Sequence, residues 1–223
     1  MTPQLPTGCV IAVLGAESSG KTELTGAIAR RLNQRGVACV EVHEYLREWC
    51  DREGRTPRPD EQNAIAAEQT RRIADAAAQG VVLADTTALM TAIYSDMLFD
   101  DPSLYDAALA TQRGYAITLV TALDLPWVAD GLQRDGPHVR EPVDARLRAA
   151  LNRAGVPFSV VHGSGPDRLA SAWNAINLIA GCARSTGSGG QYGTESAWTW
   201  PCEKCSDPAC EHRLFSDLVA RGR

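Results

Sequence analysis

The sequence predicts an α/β fold of three layers, with helices on both faces of a five-stranded parallel sheet, followed by a short cysteine-rich tail. Three observations carry that expectation. Short apolar runs rich in β-branched residues recur between residues 9 and 163. Amphipathic stretches with helical spacing separate them, and a glycine-rich loop joins the first run to the first such stretch. A chain of 223 residues suits one domain of this kind with room for an appendage.

The first expected strand is Val10–Leu14, and the helix after the glycine loop carries Leu24, Ile28 and Leu32 at four-residue spacing. Gly36 then reads as its stop signal. Residues 38–42, 81–84, 115–121 and 158–162 read as the remaining strands. Each is short and apolar, as strands covered on both faces should be. Asp60 is expected to cap a long helix reaching Gln79, with Gly80 ending it. Leu169, Trp173, Ile176 and Ala180 mark a last helix with one apolar face. The composition then changes. Residues 183–194 are rich in Gly and Ser and read as a linker between a nucleotide-binding domain, 1–182, and a Cys/Trp-bearing module, 195–223.

The charge balance narrows the function classes. A formal net charge of −5 offers no electrostatic footprint for duplex nucleic acid or an anionic membrane. No secretory signal is visible, because the first eight residues carry no Lys or Arg and the following apolar run is short. No stretch approaches the ~20 apolar residues of a membrane span. The expected compartment is the cytoplasm, where the seven cysteines stay reduced as core residues or metal ligands. Homo-oligomerisation is left open.

The most specific local signal is Gly15-Ala16-Glu17-Ser18-Ser19-Gly20-Lys21-Thr22, which matches G-x-x-x-x-G-K-[ST] between a strand and a helix. Gly15 and Gly20 let the backbone curl so that consecutive N–H groups, including those of Glu17, Ser18 and Ser19, point at phosphates. Lys21 should reach the outer phosphates of ATP, and the Thr22 hydroxyl should ligate Mg²⁺. Such a loop makes the fold that of a P-loop NTPase.

Carboxylates at neighbouring strand ends complete the pattern. Asp85 ends the third apolar run, where it would orient Mg²⁺; the competing reading is a helix N-cap, since Asp85-Thr86-Thr87 opens the next helix. The second strand leads into His43-Glu44-Tyr45-Leu46-Arg47-Glu48. Glu44 there is placed to accept a proton from an acceptor hydroxyl, with Arg47 about one helical turn on. The plainer alternative makes them a helix-opening charge and its solvated partner. After the fourth strand, residues 124–140 are dominated by Gly, Pro, Asp and Arg. They suit a lid whose Arg134 and Arg140 neutralise transferring charge, or an ordinary solvated loop. Trp127 could stack on a ring or simply pack.

Taken together, GAESSGKT, HEYLRE, VLADTT and DLPWVADGLQR in this order resemble the nicotinamide riboside kinase domain of the NadR family of P-loop kinases. The resemblance spans residue 9 to about residue 182. It implies ATP-dependent transfer to the 5′-hydroxyl of nicotinamide riboside or a related nucleoside, on a nucleoside-kinase type of sheet, in NAD salvage. It also implies that Glu44, Arg47, Trp127 and Asp130 face the substrate and that Arg134 and Arg140 belong to the lid. The family often has an arginine directly after D-G-L, whereas here Gln133 precedes Arg134. Its better-known members carry an adenylyltransferase domain before the kinase. With the first apolar run starting at Cys9, that domain is expected to be absent, and the protein is not expected to complete a dinucleotide alone.

The tail adds a separate signal. Cys202, Cys205, Cys210 and His212 form C-x2-C-x4-C-x-H, a donor set that suits a tetrahedral structural Zn²⁺; the alternative is a reduced, loosely ordered tail. The composite expectation is therefore a small-molecule kinase acting on a nucleoside-like substrate. A regulatory P-loop ATPase or nucleotide sensor with a zinc-binding output module is the alternative.

Overall fold

In a computed structural model, residues 3–128 and 136–185 are described. Five strands, β1 (Val10–Leu14), β2 (Cys39–Val42), β3 (Val81–Asp85), β4 (Ile117–Thr121) and β5 (Ser159–Val161), form one sheet in the order β2-β3-β1-β4-β5. Every pairing is parallel. The three central strands are buried along their whole length, whereas the edge strands β2 and β5 are partly exposed. That is why the central runs are mostly apolar, with Asp85, Thr118 and Thr121 the polar residues they bury, while β2 tolerates an exposed Glu41.

The period of two along each strand divides the core. Ile11 and Val13 of β1, Leu83 of β3 and Leu119 of β4 face α1 (Lys21–Gln34) and α7 (Gly165–Ser185), packing on Leu24, Ile28, Leu32, Trp173 and Ile176. On the other face, Val10, Val42, Val82 and Ala84 meet Ile73 and Ala76 of α3 (Gln62–Ala77). Leu14 and Val120 join α4 (Ala88–Phe99), α5 (Tyr105–Arg113) and α6 (Arg140–Arg153) in a second cluster there. Helices thus cover both faces, as the sequence predicts. A short helix, α2 (Tyr45–Glu53), packs Trp49 and Cys50 against Ile65 of α3.

Two local expectations change. Asp60 does not cap α3: it lies within a single 3₁₀ turn, Pro59–Glu61, that precedes the helix. Glu61 organises this entry instead, accepting the Arg58 backbone N–H at 2.8 Å and N–H groups from both Nη1 and Nη2 of Arg55. Residues 137–140, read from the sequence as the end of a loop, are instead a 3₁₀ turn, Pro137–Val139, and the first residue of α6, Arg140. The linker and tail, with Cys202, Cys205, Cys210 and His212, lie outside the described residues, as do Asp130 and Arg134. Among the described residues no helix is long and apolar enough to cross a membrane.

Candidate active site

The order β2-β3-β1-β4-β5 reverses direction at β1, so the carboxyl ends of the central strands open on a crevice. The glycine loop sits there, between β1 and α1. At Gly15 the backbone has φ +150, and a Cβ would come within 2.0 Å of Thr121 Oγ1. Only glycine fits. Thr121 also donates to the Leu14 carbonyl and shares a 2.7 Å hydroxyl contact with Ser19, which ties the loop to β4. Gly20, at φ 76, precedes α1 in the left-handed region, and the helix N-terminus begins at Lys21.

Lys21 Nζ donates to the Ala16 carbonyl at 2.9 Å, within the loop itself. Burial pulls its pKa below the ordinary lysine value, against the opposing pull of Glu44, Asp85 and Glu17, while Arg47 adds to the lowering. These five charged groups therefore share one electrostatic neighbourhood. An arriving phosphate would add negative charge beside the ammonium and oppose that lowering.

Thr22 Oγ1 donates to Asp85 Oδ2 at 2.5 Å, joining the loop to the end of β3. The second carboxylate oxygen, Oδ1, is buried without a hydrogen-bond partner. A hydroxyl beside an acidic oxygen with unused lone pairs is a donor set that a hard cation takes, with phosphates and waters completing its shell. The N-cap role falls to Thr87, whose side chain accepts the Leu89 N–H. Thr86 makes the turn between them at φ 70, a strained conformation for a β-branched residue.

Glu44 lies just past β2 and is the residue before α2, yet its side chain makes no capping bond. It approaches Arg47 Nε at 3.8 Å, a loose pair whose arginine is half exposed and which adds little stability. Its backbone is held more firmly. The buried Gln69 of α3 accepts the Tyr45 N–H at 2.7 Å and donates to the His43 carbonyl at 3.4 Å, bracketing Glu44 from both sides. Arg72 stacks on Tyr45 and bonds Glu48 and Glu68, which fixes α2 on α3.

The loop after β4 begins as fixed structure. Ser18 Oγ accepts the Val128 N–H at 2.8 Å and donates to the Val128 carbonyl at 3.2 Å. Arg140 is buried, donates to the Leu125 carbonyl at 2.9 Å, and has Nε and Nη2 buried without hydrogen-bond partners. The Trp127 indole N–H is likewise buried and unpartnered. Sequence reasoning missed Thr121, Gln69 and Arg168. Their partners lie far away in the chain, so no local pattern could have announced them.

A family profile described as an AAA domain matches residues 10–168. The chain belongs to that family. The match begins at the first residue of β1 and includes the glycine loop, Glu44, Asp85 and Arg140. Among solved structures, NadR protein in complex with NR superposes at TM-score 0.64 and 21% identity, covering 78% of this chain and 52% of that one. NadR protein in complex with NAD and AMP-PNP gives 0.62 and 21%, covering 86% and 52%. The chain thus spans about half the length of each. At such identity the likeness is one of fold, and it agrees with the NadR resemblance carried by the sequence motifs. No curated protein sequence matches the chain.

Proposed function

We propose that this AAA-domain chain is an ATP-dependent kinase that phosphorylates a hydroxyl of a nucleoside-like acceptor, with nicotinamide riboside the first candidate. One observation carries the reading: the loop lysine, the Thr22–Asp85 pair and Glu44 share a single electrostatic neighbourhood. Nucleotide binding alone has no need of a further acid at the end of β2, whereas transfer to an alcohol requires a proton acceptor. The fold shared with NadR structures that hold NR, or NAD with AMP-PNP, supports the same reading.

In this reading the backbone of Gly15–Thr22 cradles the ATP phosphates and Lys21 neutralises charge on the transferring group. Thr22 and Asp85 hold Mg²⁺, which when bound supplies charge neutralisation at the phosphate oxygens. Glu44 accepts the acceptor's proton, Arg47 and Trp127 are assigned to the acceptor side, and the family resemblance assigns Asp130 to it as well. Arg140, which opens α6 and has two unpaired N–H edges, is assigned to the phosphates, and the family resemblance assigns Arg134 the same role. Phosphoryl transfer needs positioning and charge more than covalent chemistry, so this set is sufficient in kind.

The test is ATP turnover by the purified chain with and without nicotinamide riboside, followed by a panel of nucleosides. Turnover that requires the acceptor and yields its monophosphate supports a kinase. The AAA-domain match favours a second reading, an ATPase or nucleotide sensor with water as acceptor. Acceptor-independent release of inorganic phosphate would select it.

A further inference from the structure

Arg168, near the start of α7, is only 4% exposed, and its guanidinium joins three segments distant in sequence. Nη1 donates to Asp124 Oδ1 and to the Gly163 carbonyl, each at 2.7 Å. Nη2 donates to the Ser19 carbonyl at 2.7 Å and to the Ala122 carbonyl at 3.2 Å. Asp124 Oδ2 accepts the Gly163 N–H at 2.6 Å, so the acid is itself held in place. A buried guanidinium is tolerable only with such partners, and a planar donor fork is what can serve several acceptors at once.

The contact with Ser19 has a consequence inside the glycine loop. The peptide joining Ser19 to Gly20 is trans, since the described chain contains no cis bond. In a trans peptide the C=O and N–H point in opposite directions. Holding the Ser19 carbonyl on Arg168 therefore turns the Gly20 N–H away from α7. The Ala16 carbonyl is fixed in a comparable way, by Ser19 Oγ at 2.6 Å and Lys21 Nζ at 2.9 Å, which sets the direction of the Glu17 N–H. An anion-binding loop works only when such N–H groups converge.

We propose that Arg168, held by Asp124, is a positioning residue that sets the Ser19–Gly20 peptide of the glycine loop for nucleotide phosphates. It acts through Ser19 and needs no contact with the nucleotide. The inference rests on the nucleotide-binding reading above. Nothing in the local sequence marks Arg168, which looks like a surface arginine in a helical stretch.

Arg168→Lys and Asp124→Asn test it, by calorimetric titration with Mg²⁺ and a non-hydrolysable ATP analogue. Lysine keeps the charge but cannot reach Ser19 and Asp124 together. Its analogue affinity is expected to fall on the order of 10- to 100-fold, the cost of a small misplacement in a preorganised site. The acceptor KM should be unchanged and the circular dichroism native. Asp124→Asn should weaken binding less, and the double variant no more than Arg168→Lys alone, because the acid acts through the arginine. Native-like affinity in folded Arg168→Lys would overturn the inference, as would full additivity of the two changes. If Arg168→Lys does not fold, Asp124→Asn alone decides by the same affinity shift. A wild-type chain that binds no nucleoside triphosphate would instead sink the nucleotide-binding reading, and this inference with it.

Discussion

Glu44 is the residue on which the kinase reading turns. Replacing it with Gln preserves size and the bracket that Gln69 makes around it, and removes the proton acceptor. Steady-state kinetics of Glu44→Gln should show kcat about 10²–10⁴-fold lower with the ATP KM little changed. A weakened ATP KM at constant kcat would move Glu44 to nucleotide or metal binding. Gly15 tests the cradle itself. A methyl there meets Thr121 Oγ1 at 2.0 Å on a backbone of φ +150, so Gly15→Ala should cost at least about 1–3 kcal/mol. Thermal melts should show this loss, and Thr121→Ala should recover part of it by removing the struck hydroxyl. The glycine loop was legible because its chemistry is written in eight consecutive residues. Arg168 was not, because the Ser19 carbonyl it holds lies 149 positions earlier.

At the scale of elements, legibility followed burial. The central strands β1, β3 and β4 are covered on both faces, so their apolar runs stood out against the polar stretches around them. The start of α3 was misread because any acid before an apolar periodic stretch resembles a cap. The structure uses Glu61, whose pKa is drawn to about 2 by Arg55 and by the Arg58 N–H. Helix α6 was missed although Val143, Leu147, Ala150 and Leu151 have helical spacing, since glycine, proline and arginine before them read as loop. The junction of β4, the β5–α7 turn and α7 offers a pH test. Burial would raise the Asp124 pKa, but hydrogen bonds from Arg168 and the Gly163 N–H outweigh it and hold it below the ordinary 3.8. A depressed acid contributes stability that is present above its unfolded pKa and lost as pH falls through the folded value. Melting temperatures of wild type and Asp124→Asn should therefore differ at neutral pH, begin to converge as pH falls past 3.8 and meet only below the lower folded value. Parallel curves across the whole range would show that the Asp124 charge contributes nothing. The tail carries its own expectation. Elemental analysis of untagged protein should find about one Zn²⁺ per chain, the stoichiometry of a four-ligand structural site. Unchanged metal content in Cys205→Ser with Cys210→Ser would rule out that ligand set.

For the whole molecule, the sheet order explains why residues far apart in sequence meet. Strand β1 delivers the glycine loop to the centre, β3 brings Asp85 beside it, and β2 ends in Glu44 one strand further out. On the other side, β4 precedes α6, which opens on Arg140, and β5 precedes α7, which carries Arg168. The fold class was readable from the alternation of runs, but the strand order was not, because pairing is decided between segments that no local pattern connects. The AAA-domain family and the fold shared with NadR fit this architecture, and the acceptor is what the chemistry of the β2 end must decide. The central claim is that γ-phosphoryl passes from ATP to a nucleoside hydroxyl. The most direct measurement is phosphorus NMR of a reaction containing the purified chain, ATP, Mg²⁺ and nicotinamide riboside. The account predicts ADP and a new phosphomonoester in equal amounts, with neither formed by Lys21→Ala. ADP accompanied only by inorganic phosphate, at a rate indifferent to the riboside and to every other nucleoside tried, would contradict it.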